Sequence, residues 1–308
     1  MALLYKADPA RAKHWQTLFA EHAPDIAWRA WPDIGNPEEV EYLAAWQAPD
    51  NLTQLLPNLK VLFALSAGVD QLDLSRLPAD LPVVRLLDPG ITWGMCEYAT
   101  WAVLSLHRDM VRYREQQAAR CWQAHLLQPA QSRRVGVMGL GTQAQQILAT
   151  LAPFGFALSG WARSVHEIEG VACFAGQAQL SAFLGQCDIL LCVLPLTEQT
   201  EGILDRNLFA LLPRGAGLIN MGRGGHLVEG DLLEALDSGQ LGGAVLDVLQ
   251  VEPAAADHPF WDHRQVVLTP HVAAMTQPAS AFGVLLENIR RFERGERMVG
   301  QIDRNRGY

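Results

Sequence analysis

The sequence is short of several things, and each shortage removes a class of function. It holds no paired-cysteine motif: Cys96, Cys121, Cys173, Cys187 and Cys192 fall at irregular spacings with no CxxC. That argues against a thiolate zinc site or any other structural metal, and suits a reducing cytoplasm. Each thiol is expected to serve as a small buried hydrophobe. Basic charge is in deficit, with 24 Lys and Arg against 33 Asp and Glu and a formal net charge of -9. A nucleic-acid partner needs clustered cations, so none is expected. No stretch supplies the long uncharged apolar run of a membrane helix. The start, MALLYKADPARAKHW, is apolar only as far as Tyr5, which is too short for a secretory signal. There is no internal repeat, no low-complexity tract and no linker rich in Gly, Ser or Pro.

What is present is a chain of 308 residues, 49% hydrophobic and 19% charged, long enough that two domains are the better expectation. Short apolar runs of strand type alternate with helical patterns, which implies parallel sheets covered by helices on both faces. The first third carries ALLYK (2–6), IAWRAW (26–31), EYLAAW (41–46), KVLFALS (60–66) and PVVRLL (82–87). From about Glu97 to 120 a pattern without internal Pro or Gly predicts one long helix leaving the first domain. A fuller alternation follows in RRVGVMGL (133–140), FALSGWA (156–162), DILLCVLP (188–195), AGLINMG (216–222), GAVLDVL (243–249) and QVVLTP (265–270). Such continuous apolar strands are buried on both faces. A final helix lies around SAFGVLLENIRRFERGE. The expected division is 1–97 for the first part of one domain, 98–272 for a second domain, and 273–308 for a helix returning to the first.

VGVMGLGTQAQQILATL sets Gly139, Gly141 and Ala144 in a GxGxxA frame, directly after a strand and opening a helix. Gly139 allows the tight turn, Gly141 lets the backbone approach a pyrophosphate, and Ala144 lets the helix lie close to the sheet. A glycine turn capping a helix has the same look, but in this strand and helix context the frame points to dinucleotide binding. The next strand ends in GWARS. An NAD-binding strand would end in a carboxylate for the ribose 2'-hydroxyl, yet Trp161, Ala162, Arg163 and Ser164 offer none before Glu167. A guanidinium and a hydroxyl suit a 2'-phosphate instead, so NADPH is the expected cofactor, with NADH possible. The bland alternative is that Arg163 is a solvated loop charge.

Three later strand ends carry polar groups where a doubly wound sheet collects its ligands, outside the carboxyl ends of the strands. LINMGRGG supplies Arg223, AVLDVLQVEP supplies Asp247 and Glu252, and VLTPHVAA supplies His271. Singly, each has a structural reading: a turn charge, a helix cap, a loop carboxylate, a satisfied core histidine. A sheet that brings all four to one edge favours a site.

The segments GLGTQAQ, LPLTEQTEGIL, LINMGRGGHLVEGDLLEAL, LDVLQVEP and HPFWDHRQVVLTPHVAA resemble the D-isomer-specific 2-hydroxyacid dehydrogenases over nearly the whole chain. Within that family WARS, LDVLQVEP and AAWQAP are most similar to the glyoxylate/hydroxypyruvate reductases. The resemblance implies two doubly wound α/β domains, a Rossmann cofactor domain inserted into a smaller flavodoxin-like substrate domain, with the substrate between them and a hinge in the two connections. It implies reduction of a small 2-oxo acid, with His271 as proton donor, Glu252 stabilising and orienting the imidazolium, and Arg223 gripping the substrate carboxylate. Backbone amides at Ala67 and Gly68 would hold that carboxylate as well, and Trp46 is either an aromatic wall for a small substrate or a core residue. Leu140, Thr142, Gln143, Leu194, Pro195, Met221, Gly222 and Ala273 would join the cofactor cleft, with Asp247 orienting the nicotinamide carboxamide. A homodimer through the 97–120 helix is also implied. Glu252 differs from the glutamine of formate dehydrogenase relatives, and no regulatory domain follows the last helix, unlike long phosphoglycerate dehydrogenases. The competing readings are a reductase of another 2-oxo acid and a nucleotide-sensing corepressor of the same fold.

Overall fold

A computed structural model of the chain describes residues 1–66, 68–69 and 72–303. It divides into two compact units, one formed by Met1–Ile91 with Met275–Tyr308 and the other by Thr92–Ala274. The first unit begins with β1 (Ala2–Lys6), α1 (Pro9–His22), β2 (Ala27–Ala30), β3 (Val40–Ala45), α2 (Leu52–Leu55), β4 (Val61–Ala64) and β5 (Val83–Arg85). Asp8 starts α1 by accepting from the amides of Ala10 and Arg11, and Pro9 at the first helical position has no amide to satisfy. The strands pair in the order β2-β1-β3-β4-β5, all parallel. This is the flavodoxin-like order of a doubly wound sheet.

Between Pro89 and Ala118 the chain forms two helices, α3 (Pro89–His107) and α4 (Met110–Ala118), where one helix from 97 to 120 was expected. The break is at Asp109, which adopts a left-handed backbone (φ +54°), a conformation that aspartate tolerates better than most residues. The start is earlier because Gly90 and Gly94 are carried inside α3, where Gly94 fits against the carbonyl of Ala273 at 3.1 Å from the position of a Cβ.

The second unit continues with β6 (Arg134–Met138), α5 (Thr142–Leu151), β7 (Ala157–Ala162), β8 (Val171–Ala175), α6 (Gly176–Leu184), β9 (Ile189–Cys192), α7 (Arg206–Leu211), β10 (Ala216–Asn220), α8 (Glu229–Asp237), β11 (Leu241–Leu246) and β12 (Val266–Leu268). Its sheet order is β12-β11-β10-β9-β6-β7-β8, again wholly parallel. Strand order reverses between β6 and β9, and that switch point is where such sheets open a crevice. β8 was not expected from the sequence. VACFA is apolar throughout, but it forms the edge of the sheet and none of its residues is fully buried. The core joins Phe183, Leu190, Leu218, Leu236 and Leu246, all essentially sealed from water.

The chain then returns to the first unit as α9 (Pro278–Glu293), packed on α1. Phe282 meets Phe19 edge-on with ring centroids 5.0 Å apart, and the Trp15 indole N–H donates to Pro278 O at 2.7 Å. The cysteines divide. Cys96, Cys187 and Cys192 are buried, and burial pushes the Cys187 and Cys192 thiols up to about 12, which keeps them unreactive. Cys121 is exposed and Cys173 half-buried, against the expectation of five buried thiols, because both lie outside the sheet interior. Among the described residues no helix is long and apolar enough to cross a membrane, and no group of three or more His, Cys, Asp or Glu is arranged to hold a metal ion.

The central pair β6 and β9 is tied at its start by Arg134 and Asp188. The guanidinium donates to both carboxylate oxygens, at 2.6 and 3.2 Å, and the Arg134 amide adds a third bond at 2.9 Å. Burial pushes the Asp188 carboxyl up, but the Arg134 donors and charge outweigh it and hold the group below its ordinary value. A lowered folded-state value means stability that is full above the unfolded value of about 3.9 and is lost as pH falls through the lower folded one. Asp188→Asn is expected to cost about 2 kcal/mol at pH 7, read as a lower urea midpoint, and to flatten the decline of that midpoint between pH 5 and the acid limit; an unchanged acid dependence would show that the pair contributes nothing.

Candidate active site

The turn after β6 has a form set by its glycines. Gly139 sits at φ +99° and donates its amide to Trp161 O at 2.8 Å; a Cβ here would lie 3.1 Å from Val193 O. Gly141 caps α5, no side chain covers that helix end, and nothing lies within 4 Å of the position its Cβ would take. Open space in front of unpaired helix amides is what a pyrophosphate needs. Ala144 is buried under the helix, Leu140 is buried against Gly160, Thr142 is exposed and Gln143 half-buried. β7 then delivers Arg163 and Ser164 to an exposed position at its carboxyl end, with no carboxylate among residues 161 to 164. These residues fit a dinucleotide carrying a 2'-phosphate.

The adjoining strand ends converge on this turn. Leu194 follows β9 and is buried, Pro195 is exposed, and Met221 and Gly222 follow β10 in buried positions. A Cβ on Gly222 would lie 3.2 Å from Leu194 O, so the two loops are in contact. Arg223 is braced by residues that the sequence reading passed over. Its amide donates to His226 Nδ1 at 3.1 Å, its carbonyl accepts from Asn220 Nδ2 at 3.1 Å, and its guanidinium donates to Gly222 O at 2.8 Å. Asn220 and His226 are both fully buried. A polar residue closing an apolar strand, as Asn220 does in LIN, was the available signal, since such a group persists only with partners.

Glu252 and His271 meet. His271 Nδ1 lies 2.7 Å from Glu252 Oε2, while Glu252 Oε1 accepts from the Leu249 amide at 3.0 Å. With one imidazole nitrogen held by the carboxylate, Nε2 is the one left to exchange a proton with a substrate. The pair is about one-third exposed, 35% and 37% at the two side chains, so it is neither core nor freely solvated. The Glu252 loop has its own anchor in Glu229, which accepts from the Gln250 amide at 3.3 Å and contacts His258 Nε2 at 3.2 Å. The Arg223 turn presses on the same loop, because a methyl on Gly224 would fall 1.8 Å from Leu249 O. Arg223, Glu252 and His271 thus follow three neighbouring parallel strands, β10, β11 and β12, at their carboxyl ends.

Asp247, directly after β11, is buried at 1% exposure. Its carboxylate accepts from Thr269 Oγ1 at 2.6 Å and from the amides of Val272 and Ala273 at 2.8 Å each. Burial is the largest influence on it and raises its pKa despite those donors and the nearby His271. Ala273 is buried in the same loop. The remaining candidates lie on the first unit. Trp46 follows β3 with 41% of its surface exposed, which removes the core reading, and Gly68 is half-buried with its carbonyl accepting from Ser66 Oγ at 2.6 Å. Ala67 lies outside the described residues.

Comparison with known proteins agrees with this geometry. Residues 100–273 match the family model described as D-isomer specific 2-hydroxyacid dehydrogenase, NAD binding domain. The chain is 40% identical over 305 residues to glyoxylate/hydroxypyruvate reductase A of Yersinia enterocolitica, covering 96% of each. Among solved structures it resembles a D-isomer specific 2-hydroxyacid dehydrogenase from Xanthobacter autotrophicus Py2 in complex with NADPH and MES, with a TM-score of 0.92, 37% identity, and 100% and 99% of the two chains covered. It equally resembles an NADPH-dependent glyoxylate/hydroxypyruvate reductase from Sinorhizobium meliloti in complex with NADP and sulfate, with a TM-score of 0.92, 36% identity and the same coverage. A switch-point glycine turn, a carboxylate-held histidine on the adjoining strand ends, and these likenesses over the whole chain together lead to one assignment: the chain belongs to the D-isomer specific 2-hydroxyacid dehydrogenase family of NAD(P)-dependent oxidoreductases.

Proposed function

We propose that this enzyme reduces small 2-oxo acids, glyoxylate and hydroxypyruvate foremost, to the corresponding 2-hydroxy acids, with NADPH preferred and NADH accepted. The observation that carries the reading is the 2.7 Å contact between His271 and Glu252 at the strand ends beside the Arg223 turn. Relatives named as glyoxylate/hydroxypyruvate reductases, one of them holding NADP, support the substrate and cofactor.

The residues divide the work. Bound reduced nicotinamide supplies the hydride to the carbonyl carbon. His271, as imidazolium, gives its Nε2 proton to the carbonyl oxygen as negative charge builds there, and regains a proton from solvent afterwards. Glu252 keeps the Nδ1–H bond through this cycle, so the ring stays oriented and its charged form is stabilised. Arg223 pairs with the substrate carboxylate and polarises the adjacent carbonyl. Gly68 and Trp46 keep the substrate roles that the family likeness implies. The amides from Leu140 to Gln143 would hold the pyrophosphate, with Gly139 shaping the turn, and Arg163 with Ser164 would hold the 2'-phosphate. Leu194, Pro195, Met221, Gly222 and Ala273 would flank the nicotinamide, and Asp247 has lone-pair capacity left with which it would hold the carboxamide. A division of labour between a substrate domain (1–97 and 273–308) and a cofactor domain (98–272) completes the proposal. Five cysteines free of disulfides fit a reducing, cytoplasmic location.

A homodimer is proposed through the segment after α4, where Trp122 and Leu126 are fully exposed and the His125 amide donates to Tyr113 Oη on α4 at 3.0 Å. A second copy would bury both side chains across a two-fold axis.

NADPH oxidation followed with a panel of 2-oxo acids should give the highest kcat/KM for glyoxylate and hydroxypyruvate; no turnover with any of them would end the proposal. His271→Ala should lower kcat by about a hundredfold or more with NADPH binding kept, and near-normal turnover would remove the histidine from the chemistry. Arg163→Ala should raise KM for NADPH well above its effect on KM for NADH; equal effects would refute the phosphate role. Sedimentation should find a dimer that Trp122→Glu with Leu126→Glu converts to monomer.

A further inference from the structure

His271 occupies the left-handed backbone region at φ +54°, an unfavourable place for a residue with a Cβ. The surroundings must therefore hold it there. Its amide donates to Asp247 O at 2.8 Å, and the next two amides, of Val272 and Ala273, donate to the two carboxylate oxygens of the same aspartate. One buried residue, through its carbonyl and its carboxylate, thus fixes the backbone on which the histidine rides.

Asp247 has one further donor, and that donor has a donor of its own. Thr269 gives its hydroxyl proton to Asp247 Oδ1 at 2.6 Å and lies 2.6 Å from Tyr98 Oη. A hydroxyl has a single proton, so with Thr269's committed to the carboxylate, the phenol must donate to Thr269. The string runs Tyr98 to Thr269 to Asp247, ends on a charge, and polarises along its length. Tyr98 is carried by α3, its ring edge-on to Trp101 at 5.2 Å, and the same helix meets the histidine loop at Gly94 and Ala273. Burial, and then the charge of Asp247, raise the phenol above its ordinary range, so it remains a donor at any working pH.

We propose that Tyr98 and Thr269 are positioning residues of the reduction: through Asp247 they hold the His271 loop in its left-handed turn and so set the direction from which the proton is delivered. The inference rests on the reading of His271 as proton donor. The ionisable groups facing Asp247 are His271 and Tyr98. Removing the Thr269 donor leaves burial less opposed, so the carboxyl takes up a proton more readily and the loop loosens at higher pH than before.

The test compares Thr269→Val, Thr269→Ser, Tyr98→Phe and the double variant Tyr98→Phe/Thr269→Val in the intact enzyme with NADPH and glyoxylate. Thr269→Val should lower kcat about tenfold, move the acid limb of kcat to higher pH, and leave the NADPH dissociation constant within about twofold. Thr269→Ser should recover most of the loss. Tyr98→Phe keeps the ring contact and should lower kcat about threefold, and the double variant should be no worse than Thr269→Val alone, since the phenol acts through the hydroxyl. An active wild type whose kcat and acid limb are unmoved by Thr269→Val, or whose losses are equal in the serine and valine variants, overturns the inference and leaves the reading of His271 standing. If Thr269→Val does not fold, the kcat and pH profile of Tyr98→Phe decide by the same criteria. A wild type inert toward every 2-oxo acid overturns both.

Discussion

The buried carboxylate of Asp247 is the interaction on which the rest of the site depends. Sealed at 1% exposure, it would be costly without donors. It obtains three, and two of them are backbone amides of the loop that carries His271. The need to solvate one charge thereby dictates a backbone conformation that the histidine would not adopt unaided, and the histidine then meets Glu252 at 2.7 Å. Sheet burial supplies the low-polarity surroundings that make the arrangement rigid. The fold and the chemistry share this one constraint.

Around that anchor the second unit distributes its tasks by strand order. The glycine turn and Arg163 with Ser164 lie after β6 and β7, at and beyond the point where strand order reverses, while Glu252 and His271 follow β11 and β12 on the other side, with Arg223 after β10 between them. A parallel doubly wound sheet sends all its carboxyl ends to one edge, so residues more than a hundred positions apart converge without any loop having to travel far. Close backbone approach does the remaining work. Gly224 against Leu249 leaves no room for a side chain, Gly139 against Val193 and Gly222 against Leu194 leave little, and each contact brings neighbouring strand ends together.

Much of this was legible beforehand. Eleven of the strands answer to apolar runs in the sequence, and for the central ones the reason is that a strand buried on both faces must be apolar throughout. β8 was passed over although VACFA is apolar, and the split of the 97–120 helix escaped because an aspartate in a left-handed turn leaves no Pro or Gly to announce it. The candidates Arg223, Asp247, Glu252 and His271 were legible as polar residues at strand ends. Asn220 showed only as a polar residue closing an apolar strand, and Thr269 and Tyr98 not at all, since hydrogen-bond partners distant in sequence leave no local spacing to read.

By itself, then, the amino-acid order determined the parallel α/β class, the glycine turn at a helix start and the polar side chains that end neighbouring strands, because these follow from hydrophobic period, glycine stereochemistry and the placing of polar residues after apolar runs. Only the tertiary structure decided which atoms face one another: that the imidazole is held through Nδ1, that Asp247 spends its oxygens on the neighbouring loop, and that a phenol on α3 stands behind them. The reason is physical. Composition and period set what must be buried, whereas direction and partner are fixed only when packed elements bring distant groups within hydrogen-bonding range and exclude the water that would otherwise take their place.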